Sequence, residues 1–173
     1  MLALWSHLSS EFPLRLMVPN SLLQKYDALI SRYPVRRSAL IPILLTTQEE
    51  IGHLTPESIE AISEYLKIPE IEVREVITFY SMLRTKPVGK NHIQVCTNIS
   101  CMLLGGEGIF EHISERLGIK EGETTADGVF SLTEVECLGA CCNAPAMQIN
   151  YKYHEDLNIE KVDRILDVLQ RET

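Results

Sequence analysis

Hydrophobic positions repeat with a helical period up to about residue 80. After residue 90 stretches of alternation and of helical period follow one another. Residues 1–19 show neither period and read as an irregular lead-in. From Asn20, the residues Leu22, Leu23, Tyr26, Leu29 and Ile30 fall on one stripe, which Pro34 ends. A second helix is predicted from near Ser38 to about Ile51. It gathers Leu40, Ile43, Leu44 and Thr47, tolerates Pro42 in its first turn and stops at Gly52. Thr55-Pro56-Glu57 is the start signal of a third helix: an N-cap hydroxyl, a proline where an N–H is not needed, and an acid near the positive end of the helix dipole. That helix carries Ile59, Ile62 and Leu66, and a fourth, beginning near Pro69, carries Val73, Val76, Ile77 and Tyr80.

At residues 85–91 the run TKPVGKN is rich in turn formers and marks a domain boundary. After it HIQVC reads as a strand, and MLLGGEGIFEHISERLG as one helix with Ile109, Ile113 and Leu117 inward. VFSLTEVEC alternates as a second strand, AMQINY forms a third and YHEDL is a candidate fourth. Asn158 caps a last helix whose inward residues are Val162, Ile165, Leu166 and Leu169. The order β-α-β-β-β-α, ending in a hairpin and a helix, describes a small sheet with helices packed on it. The expected fold class is α+β or α/β in two domains: a small helical bundle over residues 20–85 and a sheet domain over residues 86–173. No internal repeat or low-complexity tract is present.

Composition sharpens the second domain. The chain has 173 residues, 45% hydrophobic and 23% charged, the balance of a soluble globular protein. Its net charge of −8 is uneven: residues 1–85 carry 8 Lys/Arg against 10 Asp/Glu, and residues 86–173 carry 8 against 14. Arg36-Arg37 is the one basic doublet, which excludes a nucleic-acid partner, because neutralising phosphates needs clustered cations. The longest apolar run, ALIPILL, is too short to cross a bilayer, and MLALWSHLSSEF lacks the features of a signal peptide. The expected location is the reducing cytoplasm, where five cysteines point to metal binding or catalysis before disulfides.

Four of those cysteines form two pairs. Cys96 and Cys101 are spaced C-x4-C, and after 35 residues Cys137 and Cys141 are spaced C-x3-C. Each pair sits where a predicted strand gives way to a loop, and loops at one end of a sheet can converge on one site. No C-x-x-C redox motif is present, and the C-x4-C-x2-C spacing of plant-type ferredoxins is not met. A structural zinc site remains open on spacing alone. The surroundings suit an anionic [2Fe–2S] centre, which needs hydrogen-bond donors and protection from water. Thr97, Asn98 and Ser100 offer small donors, Cys101 is expected at a helix start, and LGACCNAP is small and apolar. Gly105 and Gly106 either allow a close backbone approach or merely weaken the first turns of that helix.

Other features carry less. GEGIFE lacks the last glycine of a dinucleotide fingerprint, with Glu111 in its place, and no P-loop, G-x-S-x-G or H-E-x-x-H occurs. His53, His92, His112 and His154 are scattered and read as surface or structural residues. Phe79 and Tyr80 are assigned to the core rather than to a partner-facing anchor. Pro145 follows the second cysteine loop, where a special backbone role, a cis bond among them, stands against the general preference for trans.

The runs CTNISC, LLGG and VECLGACCNAPAMQIN, with ALIPILLTTQEEIGHLTPESIEAISEYLKIPEIEVREVITFYSML before them, resemble the NuoE family. This is the thioredoxin-like [2Fe–2S] subunit of NADH:quinone oxidoreductase, and the resemblance covers roughly residues 20–170. It implies a thioredoxin-like ferredoxin domain in which Cys96, Cys101, Cys137 and Cys141 ligate a [2Fe–2S] cluster, one pair for each iron. Cys142 falls outside the motif as a spare thiol. The resemblance also implies a partner, an FMN- and NADH-binding (NuoF-like) subunit whose flavin exchanges electrons with the cluster. Hydride chemistry then belongs to that chain, and the assembly is peripheral to the membrane. Two rival expectations stand beside this: the equivalent diaphorase subunit of an NAD-linked hydrogenase or formate dehydrogenase, and a zinc-stabilised adaptor without redox activity.

Overall fold

A computed structural model describes residues 19–172 of the chain, so the expected lead-in, Pro19 excepted, lies outside the described residues. Four amphipathic helices occupy the first part: α1 (Asn20–Ile30), α2 (Leu40–Ile51), α3 (Pro56–Leu66) and α4 (Glu70–Phe79). The predicted second helix opens as a 3-10 turn over Arg36–Ala39 before the wider α2 begins. The Thr55 hydroxyl accepts the Ser58 N–H at 3.2 Å, the expected cap of α3, and Gly52 ends α2 at φ +95°. Leu22, Tyr26, Ile43, Leu44, Ile62 and Val73 bury one shared core. Gln48 is buried with them. Its Nε2 donates to the Met82 carbonyl at 2.9 Å and its Oε1 accepts the Arg84 N–H at 2.6 Å, which fastens the chain after α4 to α2.

Two polar groups in this core fix each other's roles. The Thr47 hydroxyl donates to the Ile43 carbonyl at 2.7 Å, so the Tyr26 hydroxyl beside it is the donor in the Tyr26–Thr47 bond. A phenolate there would face an oxygen lone pair in a dry site. Burial accordingly pushes the Tyr26 pKa up to about 12. Phe79 departs from expectation: it is 79% exposed, while Tyr80 packs partly against the core. At the end of α4 the residues Val73 and Ile77 take the inward stripe, and Phe79 falls off it.

The described residues part into two compact units between Pro87 and Val88. In the second unit four strands stand in the order β2-β1-β3-β4. They are β1 (Asn91–Cys96), β2 (Phe130–Val135), β3 (Met147–Ile149) and β4 (Lys152–His154). β1 pairs parallel with β2 and antiparallel with β3, and β3 pairs antiparallel with β4. The parallel pair requires a crossover, which helices supply. Ile93, Val95, Phe130 and Leu132 of the strands bury against Ile109, Ile113, Val162 and Leu166 of the helices. The last helix, α7 (Ile159–Arg171), is capped by the Asn158 side chain, which accepts the Lys161 N–H at 2.8 Å.

The crossover is two helices, not the single one expected: α5 (Ile99–Leu103) and α6 (Gly106–Leu117). Gly105 breaks them at φ +92°, a conformation that side chains disfavour. Gly106 is set so tightly that a Cβ would lie 2.7 Å from the Cys96 carbonyl oxygen and 2.9 Å from that of Cys101. Of the two roles open to these glycines, Gly106 serves close approach and Gly105 the change of direction.

Gly106→Ala is expected to lower stability by about 1–3 kcal/mol. Gly108→Ala in the same helix, where a Cβ meets nothing within 4 Å, is expected to be neutral or to stabilise by up to about 1 kcal/mol; urea midpoints compare the two. Tyr26 holds its proton more tightly folded than unfolded, so its contribution is complete below pH 10 and is lost as pH rises through about 12. Between these limits the wild type is expected to lose about 1–3 kcal/mol more than Tyr26→Phe in urea titrations, and equal losses would contradict the assignment of Tyr26 as donor.

Candidate metal centre

The sheet register explains where the cysteines meet. Cys96 is the last residue of β1, opposite Val135, the last residue of β2, because those strands run parallel and in step. β3 runs the other way, with Met147 opposite Val95, so the segment from β2 to β3 leaves and returns at the same sheet end. The Cys96 N–H donates to the Ala146 carbonyl at 3.1 Å and the Thr97 N–H to the Val135 carbonyl at 3.3 Å, which ties the two loops at their roots. Residues 97–105 and 136–146 therefore share one edge, although 35 residues separate Cys101 from Cys137.

All five cysteines are free thiols. Cys96 and Cys101 are 4% and 2% exposed and pack with Ala146 against Val135, Leu138, Ala140 and Ala144. Cys137, Cys141 and Cys142 are exposed. The thiols associate two by two. Cys101 is pushed above the usual thiol range by burial first, then by its hydrogen bond with Cys96 and the charges of Cys96 and Cys141. Cys141 is pushed up chiefly by the charge of Cys137 and its hydrogen bond with that thiol. Cys101 thus neighbours Cys96 and Cys141 neighbours Cys137, and Cys141 also feels the charges of Cys96 and Cys142, so the two couples adjoin. Among the described residues no group of three or more His, Cys, Asp or Glu side chains forms a single-ion cage.

This donor set fits a two-iron group. Thiolates ligate as anions, and four of them gathered at one edge repel, so positive charge between the couples is needed to hold them ionised. A sulfide-bridged pair of irons presents a cation toward each couple and takes four thiolates in all. The second loop is shaped for access. Gly139, at φ +75°, turns its N–H to the Cys137 sulfur at 3.3 Å, the kind of donor that a cluster ligand receives. The Cys96 thiol points to the Glu136 carbonyl at 3.9 Å.

Several expectations change in detail. Cys101 is the third residue of the five-residue α5, whose start is closed by Asn98 Oδ1 accepting the Ile99 N–H at 2.6 Å, rather than the first residue of a long helix. The Thr97 hydroxyl donates to Glu134 at 2.6 Å and is not spare for a sulfur. The Ala144–Pro145 bond is cis. Residues that the cysteine spacing does not signal hold the second loop. The Tyr153 hydroxyl donates to the Leu138 carbonyl at 2.9 Å, the Asp156 N–H to the Asn143 carbonyl at 2.7 Å, and the Leu157 N–H to the Pro145 carbonyl at 3.0 Å. Their signal lies in tertiary packing, since β4 and the turn after it are remote in sequence from Leu138. Two of the histidines are engaged elsewhere: His92 Nε2 lies 2.9 Å from the Thr133 hydroxyl, and His112 Nε2 lies 2.7 Å from Asp163.

Known proteins resemble this chain in sequence or in fold. The chain is 44% identical over 144 residues to an E-type subunit of the NADH-quinone oxidoreductase of Rhizobium meliloti (strain 1021), covering 83% of this chain and 86% of that one. It is 48% identical over 149 residues to the E-type subunit of the NADH-quinone oxidoreductase of Rickettsia bellii (strain RML369-C), covering 84% and 89%. A crystal structure of an NAD+-reducing [NiFe]-hydrogenase in the air-oxidized state shares the fold with a TM-score of 0.65 at 20% identity. The match covers 75% of this chain but only 23% of that longer one. The model of the thioredoxin-like [2Fe–2S] ferredoxins matches residues 26–170, and the chain belongs to that family, whose cofactor is a [2Fe–2S] cluster.

Proposed function

We propose that this chain is the one-electron carrier of an NADH-oxidising assembly of the NADH:quinone oxidoreductase type. Cys96, Cys101, Cys137 and Cys141 hold its [2Fe–2S] group, one couple to each iron, and a flavin- and NADH-binding chain is its neighbour. The observation that carries this reading is the meeting of two thiol couples at one sheet edge, one buried and one exposed. When bound, the group supplies one-electron exchange, which lets it relay singly the electrons that a flavin takes from NADH in pairs. The residues of this chain do the rest. Cys96 and Cys101 anchor the group to the sheet, where Ala140, Ala144 and Ala146 keep water away. Cys137 and Cys141 hold the side open to a partner.

A partner surface adjoins that side. α5 buries Cys101 and turns Ile99, Met102 and Leu103 outward, at 67%, 43% and 75% exposure, and Leu104 just after it is 61% exposed. Four large apolar residues in six positions, uncovered beside an electron carrier, suit a protein neighbour more than water. The relatives of known name are subunits of NADH-quinone oxidoreductase, which supports that parent assembly. No helix among the described residues is long and apolar enough to cross a membrane. We place the chain on the cytoplasmic side, peripheral to the membrane and held by its partners. A zinc adaptor is disfavoured because the matching family is that of [2Fe–2S] ferredoxins.

Iron and acid-labile sulfide analysis of the anaerobically reconstituted chain tests the ligands. Alanine at Cys96, Cys101, Cys137 or Cys141 is expected to cut both by at least about tenfold, and Cys142→Ala is expected to keep them. A fully loaded Cys137→Ala, or a depleted Cys142→Ala, would overturn the assignment. The docking surface is read separately: Leu103→Glu is expected to retain the visible spectrum but to weaken co-assembly with the flavin-bearing chain at least about tenfold. Unchanged affinity would move the interface elsewhere.

A further inference from the structure

The two edges of the sheet are treated differently. Beyond β2 the chain covers its own edge: the Gly122 N–H donates to the Leu132 carbonyl at 2.8 Å, the Leu132 N–H to the Glu123 carbonyl at 3.1 Å, and the Thr125 N–H to the Phe130 carbonyl at 2.8 Å. Among the described residues nothing extends the sheet past β4. The hydrogen-bond alternation shows which groups β4 leaves open. Cys96 N–H to Ala146 O and Asn150 N–H to His92 O set Ala146, Gln148 and Asn150 as the residues whose backbone faces β1. Met147 and Ile149 then face β4, where their partners are His154 and Lys152. The backbone N–H and C=O of Tyr153 consequently point outward.

Beside this edge lies a cavity of about 780 Å³, at the end of β1 marked by Asn91 and thus opposite the cysteines. Its apolar wall is Ile165, Val168 and Leu169 of α7, and Lys152, Lys161 and Arg164 stand round it. α7 sorts its charges by side. Asp163 and Asp167 turn to α6, where Arg116 bridges them and His112 joins Asp163. Lys161 and Arg164 turn to the groove, and among the described residues neither they nor Lys152 is in an ion pair. The Lys161 ammonium and the Arg164 Nε donate only to the backbone carbonyls of Glu155, at 2.6 Å, and Glu160, at 3.2 Å. Burial, followed by the charges of Lys152 and Lys161, holds the His154 imidazole below its usual range, as expected in a positive field. A groove lined by three cations outside any ion pair and by one acidic residue, Glu172, thus stands in the half of the chain that carries 8 Lys/Arg against 14 Asp/Glu.

We infer that β4 and α7 form a docking site for an extended segment of a partner chain in which acidic and apolar residues alternate. Such a segment adds a fifth strand to β4 through the Tyr153 backbone. Its side chains on the helix side enter the groove, with apolar ones on Val168 and Leu169 and carboxylates on Lys152, Lys161 and Arg164. This surface is separate from the cluster and from α5, so it does not depend on which chain receives electrons.

The test uses the full-length chain with its cluster and two capped peptides of about six residues, the usual strand length. One alternates Val with Glu and the other Val with Lys. The Val/Glu peptide is expected to bind at least about tenfold more tightly and to slow amide exchange at Tyr153. Two changes are expected to abolish the preference without altering the cluster spectrum: Lys152→Glu combined with Arg164→Glu in the protein, and N-methylation of the amides of the Val/Glu peptide, which removes the donors that strand pairing needs. Equal binding of the two peptides, no binding, or binding that survives N-methylation of the peptide would overturn the proposal. So would slowed exchange at Tyr153 that grows with protein concentration in the absence of peptide, since the occupant would then be a second copy of the chain.

Discussion

Parallel pairing of β1 with β2 makes neighbours of two cysteine couples that the chain keeps far apart. With Cys96 level with Val135, both strands end at one edge, and the antiparallel β3 brings the second loop back beside the first. A slip of one residue in that pairing would turn the side chains of one strand to the opposite face and take Cys96 out of step with Val135. The register is held in two ways: Ile93, Val95, Phe130 and Leu132 are committed to the core, and Gly106 lets the crossover pass against the carbonyls of Cys96 and Cys101. The same parallel pairing requires the crossover helices, so the centre and its outer wall have one cause.

The site built on that register is lopsided, and the lopsidedness suits electron transfer. A centre enclosed on all sides would be remote from any partner, and one open on all sides would meet water freely. Here the couple on β1 and α5 is shut in by alanines, while the couple on the second loop faces outward. That loop is irregular, yet it is tied down by Tyr153, Asp156 and Leu157 through its carbonyl groups. Fixing the loop by its backbone leaves the thiols available and limits how far they must move to take a metal group.

Charge follows a similar division. The sheet unit is acidic overall, yet α7 directs Asp163 and Asp167 to α6 and Lys161 and Arg164 to the β4 edge. Its apolar stripe, Val162 and Leu166, is committed to the core between these two charged flanks. One helix therefore locks the unit together on one side and presents a cationic groove on the other. An open edge beside such a groove is guarded against self-pairing by like charge, a familiar means of keeping sheet edges from aggregation.

Much of this architecture was legible in the order of residues. Helical period, the Thr55-Pro56-Glu57 cap, Gly52 and Asn158 are local signals, and each governs the backbone within a turn of itself. The two cysteine pairs were visible too, and we propose them as the cluster ligands because metal ligation demands particular residue types at restricted spacings. What the order of residues could not decide was whatever depends on remote neighbours. Gly105 and Gly106 were ambiguous until the carbonyls of Cys96 and Cys101 stood against one of them. Thr97 is bound to Glu134, 37 positions away, instead of being spare for a sulfur. Phe79 lay near enough to the apolar stripe of α4 to pass for core, and only packing put it outside. The open edge at β4 and the sorting of charges on α7 are properties of strand order and helix rotation. Sequence by itself determined which elements form and which chemistry they carry. Tertiary structure decided which groups are satisfied and which are left facing outward, because hydrogen bonds and burial are settled between residues that the chain brings together only on folding.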